Sequence, residues 1–123
     1  MTSLISHAAH ILPVKDIQSS ALFYTDKLGF TVELKWGNPI DYLIVSSGDV
    51  SIHINKKMDQ SYASTVHTRI YFFVSDIDLL YTNLIDKGVT IKTPIGTRDY
   101  GMRDFDIVDP DGYILSFGMG TTS

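Results

Sequence analysis

Phe30, Val32, Leu34 and Trp36 alternate with Thr31, Glu33 and Lys35, the period of a strand with one apolar face. Just upstream the period changes. After Asp16, the apolar residues Ile17, Ala21, Leu22, Tyr24 and Leu28 recur at helical spacing, with Asp16 placed to cap the helix and Gly29 to end it. Residues 10–14 ahead of the helix are short and β-prone. Behind the strand, Gly37-Asn38-Pro39 turns the chain into residues 42–45, and Ser46-Ser47-Gly48-Asp49 turns it again into residues 50–55. The first half therefore reads βαβββ.

The same order returns. Residues 68–74 form a strand, Asp76 caps a helix with Ile77, Leu80, Tyr81, Leu84 and Ile85 on one face, and residues 90–92 form a strand. A loop over 93–101, a strand over 102–108, the turn Asp109-Pro110-Asp111-Gly112 and a strand over 113–118 complete the second βαβββ. The words repeat as well as the pattern: Val14-Lys15-Asp16-Ile17 is answered by Val74-Ser75-Asp76-Ile77, and Asp26-Lys27-Leu28-Gly29-Phe30-Thr31 by Asp86-Lys87-Gly88-Val89-Thr90. The offset is 60 at the capping residues (76 − 16) and 59 at the glycines (88 − 29), so Leu28 is extra in the first copy. Module one spans about 4–55, a polar linker about 56–66 and module two about 67–119. Each module is too small to bury its own apolar face comfortably, so the two are expected to pack as a single domain.

Composition narrows the function. At 123 residues and 44% hydrophobic the chain has enough core without staples, and it contains no cysteine, which excludes disulfides, thiol nucleophiles and cysteine metal sites. A net charge of −4, with 10 scattered Lys and Arg, offers no footprint for nucleic acid or an anionic membrane. No apolar stretch approaches the roughly 20 residues that span a bilayer. Met1-Thr2-Ser3-Leu4-Ile5-Ser6 lacks the basic start and long apolar stretch of a signal peptide. A cytoplasmic protein with a small-molecule ligand is the expectation, with a protein partner left open.

Pro13-Val14-Lys15-Asp16, Phe23-Tyr24 with Leu28-Gly29-Phe30, and Tyr100-Gly101-Met102-Arg103-Asp104-Phe105 running into Asp109-Pro110-Asp111-Gly112 resemble the glyoxalase/bleomycin resistance/dioxygenase family, the vicinal oxygen chelate superfamily. The resemblance implies an α+β fold in which two βαβββ modules curl into a half-open mixed β-barrel, helices outside and a cavity inside. It also implies a homodimer. In the metal-dependent members, ligands sit at matching places in each module, one on the first strand and one on the last. The first-strand place lies seven residues before the capping Asp, giving Ala9 and Arg69; the last-strand places fall on His53 and Ser116. A catalytic zinc typically keeps about three protein ligands, and only His53 is a good donor, while Arg69 is permanently cationic and repels a metal. No cofactor is expected. A divalent metal could enter through a degenerate site on His53 with other partners or through a relocated site, for which His7 and His67 match at an offset of 60 (67 − 7).

If the Arg69 side of its strand faces the cavity, Ile11, Pro13, Ser51, His53, Arg69, Tyr71, Phe73, Ile114 and Ser116 line it, and the opposite, more aliphatic faces pack under the helices. Met102, Asp104 and Asp106 share one side of their strand, and an inward Arg69 needs one of those carboxylates as counter-charge. The ion pair would serve structure or ligand contact equally well. His53, Arg69, Tyr71, Phe73, Tyr100, Met102, Asp104, Asp106, Ser116 and Trp36 are the candidate ligand-binding residues. Two functions follow from the resemblance: a metal-free binding protein like the bleomycin resistance proteins, holding an aromatic or cationic guest in a dimer-associated cavity, or a glyoxalase- or dioxygenase-type enzyme built on His53.

Overall fold

The computed structural model describes residues 4–56 and 69–121; residues 57–66 of the expected linker, His67 and Thr68 lie outside them. The chain divides into two compact units at residue 62. In the first, β1 (His10–Val14) leads into α1 (Ile17–Leu22), followed by β2 (Thr31–Trp36), β3 (Tyr42–Ser47) and β4 (Val50–Lys56). Its sheet has the order β1-β4-β3-β2, with β1 parallel to β4 and the other pairs antiparallel. The second unit repeats this with β5 (Arg69–Phe73), α2 (Ile77–Asp86), β6 (Ile91–Thr97), β7 (Met102–Val108) and β8 (Ile114–Gly120), in the order β5-β8-β7-β6. The fold is α+β, with the βαβββ order carried twice. None of the helices among the described residues is long and apolar enough to cross a membrane.

Asp16 and Asp76 cap their helices, Asp16 accepting from the amides of Gln18 and Ser19 and Asp76 from that of Leu79, so each helix starts where its first orphan amides find a carboxylate. Each ends on a left-handed glycine, Gly29 at φ 78° and Gly88 at φ 76°, a conformation that costs a side chain but not glycine. The first helix is not one uninterrupted α-helix. After Leu22 it widens into a π-helical turn over Phe23–Lys27, with the Leu28 amide donating to the Phe23 carbonyl five residues back at 3.2 Å. Asp16 to Gly29 is 13 residues and Asp76 to Gly88 is 12. The wider turn absorbs the residue by which the first copy is longer.

One face of each sheet is buried under its helix. Leu12, Val14, Leu43, Val45, Ile52 and Ile54 fill the first core with Ile17, Tyr24 and Phe30, and Ile70, Phe105, Ile107 and Leu115 fill the second with Ile77 and Leu84. Phe72, Phe117 and Phe105 stack in a row, with ring centroids 5.0 and 5.4 Å apart. The alternation expected for the opposite faces holds: Ile11, Tyr71 and Phe73 are exposed.

Two elements differ from expectation. The strand expected at 90–92 runs on as β6 to Thr97, through Pro94 and Gly96 and two irregularities in its pairing with β7. As the edge of its sheet, β6 needs ladder bonds on one side only, so the missing Pro94 donor is tolerated. In β2 the alternation breaks at a bulge between Val32 and Leu34. Val32 pairs with buried Val45, but Leu34 pairs with Ile44 and Trp36 with Tyr42, so the bulge carries Leu34 and Trp36 onto the open face. Trp36 is 64% exposed there rather than packed in the core.

Candidate functional site

On the open face of the second sheet, β8 lies between β5 and β7. Ser116 stands opposite Tyr71 on one side and Asp106 on the other, and Gly118 stands between Phe73 and Asp104. Tyr71 can therefore reach Asp104 only by lying across Gly118. A Cβ at Gly118 would overlap the Tyr71 hydroxyl and ring, so the absence of a side chain there is what lets the two meet.

Asp104 is the hub. The residue is 7% exposed, and its carboxylate accepts from Arg98 Nε at 2.8 Å, from the Tyr100 hydroxyl at 2.6 Å and from the Tyr71 hydroxyl at 3.0 Å. Arg98 Nη2 also donates to the carbonyls of Pro94 at 2.8 Å and Asp104 at 3.1 Å. Burial works against ionisation of Asp104, but the bonds from Arg98, Tyr100 and Tyr71 outweigh it and hold the carboxyl below its ordinary range. Tyr71 responds in the opposite sense. Burial, then its bond to Asp104 and that residue's charge, push its phenol up to about 12. Tyr100 is raised too, first by its bond to Asp104.

Beside this hub, Arg69 Nη2 lies 3.4 Å from Asp106 Oδ2 and donates to Ser116 Oγ at 3.3 Å, while Ser116 donates to Asp106 Oδ1. The counter-charge expected for Arg69 is thus Asp106, and Asp104 has its own in Arg98. Arg69, Tyr71, Arg98, Tyr100, Asp104, Asp106 and Ser116 line a cavity of about 280 Å³, together with Ile70 and Thr93. Phe73 flanks it, its ring 5.2 Å from that of Tyr71, and Met102, at the start of β7, is not part of the lining.

His53 and Trp36 belong to the first unit. The Tyr42 hydroxyl and His53 Nδ1 are 2.7 Å apart, with the rings edge to face at 5.6 Å. A cleft of about 360 Å³ is lined by Leu34, Trp36, Asp41, Tyr42, Asn55 and Lys56, where the Asn55 Oδ1 atom has no hydrogen-bond partner among the described residues. Arg98 and Asn55 were not among the candidates read from sequence. Arg98 had a signal: one arginine facing two aspartates leaves a carboxylate unmatched, and a buried carboxylate requires a partner.

The donors at the family's metal positions do not fit a divalent ion. In the first unit, Ala9 has no donor and His53 has one nitrogen engaged with Tyr42. In the second, Arg69 and Ser116 bond to each other, which sets a guanidinium where a cation would have to sit. Among the described residues no three His, Asp or Glu are grouped to hold a metal. His7 is exposed, with Nδ1 2.7 Å from Ser6 Oγ, and its expected partner His67 lies outside the described residues.

Residues 4–117 match the model of the Glyoxalase/Bleomycin resistance protein/Dioxygenase superfamily. The chain is 30% identical to a bleomycin resistance protein of Geobacillus stearothermophilus, over 86% of this chain and 90% of that one. Among solved structures it is similar to TioX from Micromonospora sp. ML1, with a TM-score of 0.81 at 18% identity, covering 94% of this chain and 98% of the other. It is similar also to TnmS3, an antibiotic binding protein from Streptomyces sp. CB03234, with a TM-score of 0.80 at 22% identity, covering 98% and 100%. At these identities the two structures establish likeness of fold.

Proposed function

The chain belongs to the glyoxalase/bleomycin resistance protein/dioxygenase superfamily, and from that premise we propose that it is a cytoplasmic, homodimeric binding protein that holds an aromatic small molecule without a metal. The observation that carries this reading is the chain of bonds Arg69–Ser116–Asp106. It sets a guanidinium and a carboxylate against each other at the second-module metal position, which argues against the metal-dependent chemistries of the superfamily. The open sheet faces then supply what a binding protein needs: exposed rings of Trp36, Tyr71, Phe73 and Tyr100 beside a few fixed polar groups. The similarity to a bleomycin resistance protein and to an antibiotic binding protein supports the same reading. His53 serves as the hydrogen-bond partner that positions the Tyr42 phenol rather than as a base.

Two measurements on the purified protein test this. Dialysis against zinc, nickel, manganese or iron(II) should leave no stoichiometric metal; one-to-one retention abolished by His53→Ala would establish the enzyme-like reading instead. A thermal-shift screen of planar aromatic compounds should raise the melting temperature, since a guest at a hundred times its dissociation constant stabilises by about 2.7 kcal/mol. Absence of any aromatic hit would overturn the proposal.

A further inference from the structure

Resting on the aromatic-binding reading, we propose that the guest of the second sheet carries an acidic head, a carboxylate or an acidic enol or phenol, and that Arg69 reads it. Two arginines and two aspartates face the cavity, so the local charge balances. Their depths differ. Both Asp104 oxygens are covered by donors, and Asp106 takes the Ser116 hydroxyl on Oδ1 and faces Arg69 on Oδ2. The Asp106 side chain is 18% exposed against 54% for that of Arg69. A cationic guest, suggested by the carboxylates in the sequence, would meet a guanidinium before it met either of them.

Arg69 also has donors to give. Its contacts with Ser116 and Asp106 are made through Nη2 alone, which leaves the Nε and Nη1 hydrogens without partners among the described residues, and guanidinium donors suit planar oxyanions. The rest of the strand supplies the body of the site. Arg69, Tyr71 and Phe73 alternate onto one face of β5, spanning roughly 13 Å at about 3.3 Å per residue. The Tyr71 hydroxyl is already committed to Asp104, so this residue offers a guest its ring rather than a hydrogen bond. A head held at Arg69 therefore lays an attached aromatic plane along Tyr71 and Phe73. The net charge of −4 draws no anion from a distance, so the preference is made at contact, by these donors.

Isothermal titration of the full chain with 2-naphthoate, 2-naphthamide and 2-naphthylmethylammonium, which share a ring system and differ in head, separates the possibilities. The carboxylate should bind about tenfold tighter than the amide, one charge-assisted hydrogen bond's worth, with the ammonium weakest. Arg69→Gln should weaken the carboxylate far more than the amide and so close the gap between them, and Arg69→Lys should restore part of the difference. Equal binding of all three, tightest binding of the ammonium, or a carboxylate preference surviving Arg69→Gln would overturn the acidic head while leaving the aromatic reading standing. No binding of any of them at millimolar concentration would remove both.

Discussion

Asp104→Asn removes one charge and almost no volume from a side chain that is 9% exposed and accepts from three others. The amide oxygen can still take the Arg98 Nε bond, but the amide nitrogen then faces two phenols that donate to a carboxylate. Tyr100 and Tyr71 are both accessible enough to turn their hydroxyls to water, so their loss is partly recovered. Losing hydrogen bonds to a charged group costs about 1.5–3 kcal/mol, and with that recovery the expected destabilisation is about 2 kcal/mol. Asp104→Ala also strips the guanidinium of its carboxylate. Breaking one side of a buried pair costs about 3–5 kcal/mol, and the low end applies because Arg98 keeps two carbonyl acceptors.

Equilibrium urea unfolding at neutral pH reads these values directly, and pH supplies a second check. Because the folded pKa of Asp104 is lowered, its contribution is fully present above the unfolded value of about 3.9 and is lost as pH falls through the folded one. The gap between wild type and Asp104→Asn should therefore stay constant through neutral pH and close only in acid. At the alkaline end Tyr71 acts with opposite sign. With its phenol pushed up to about 12, its contribution is present below about 10 and fades as pH rises toward the folded value. In Asp104→Asn the phenolate absorbance of Tyr71 should move back toward the ordinary range. A variant within about 0.5 kcal/mol of wild type, the scatter of surface substitutions, or a gap that persists undiminished in strong acid, would refute the hub.

Gly118→Ala tests the same contact from the other side. Alanine in a strand ordinarily gains about 0.4–1 kcal/mol through the unfolded chain, yet here it should destabilise by about 1 kcal/mol net, because the new Cβ displaces Tyr71. The Tyr71 phenol should titrate lower although Asp104 is untouched, whereas Gly120→Ala, with nothing within 4 Å of its Cβ, should show the ordinary gain of about 0.4–1 kcal/mol and leave the Tyr71 titration where it is. Light scattering at micromolar concentration should give a dimer mass; a monomer would remove the proposed dimer.

What the sequence disclosed depended on whether one strand could be read without its neighbours. Residues 104–107 alternate between polar and apolar, and β7 has the expected bounds of 102–108, with Phe105 and Ile107 buried on one side and Asp104 on the other. Residues 91–97 contain Pro94 and Gly96, which read as breakers, and only the edge position of β6 makes them admissible. Trp36 keeps perfect period two with Val32, but a bulge is a property of two strands, so its change of face is not visible in one. Arg98 lay in a segment read as loop, and its partner is fixed by where β6 ends.

The repeat itself explains why a site could be sought by matching positions and why its chemistry then departed from the match. Ile11 stands opposite His53 and Tyr71 opposite Ser116, and Ile11 and Tyr71 are 60 residues apart (71 − 11) like the capping aspartates. The backbone registers of the two modules are therefore equivalent, and His53 and Ser116 occupy one structural place, as do Tyr42 and Asp104, and Asn55 and Gly118, by their pairings across β3–β4 and β7–β8. In the first module those places hold a phenol bonded to an imidazole and an amide whose oxygen is buried without a described partner. In the second they hold a carboxylate, a serine and an open glycine, and the glycine lets a neighbouring phenol cross the strand to the carboxylate. Register was retained because a one-residue slip would turn every core side chain to the wrong face. No such penalty protects the open faces, so two copies of one backbone could come to present different chemistry, and a ligand set that needs matching donors from both has no reason to survive there.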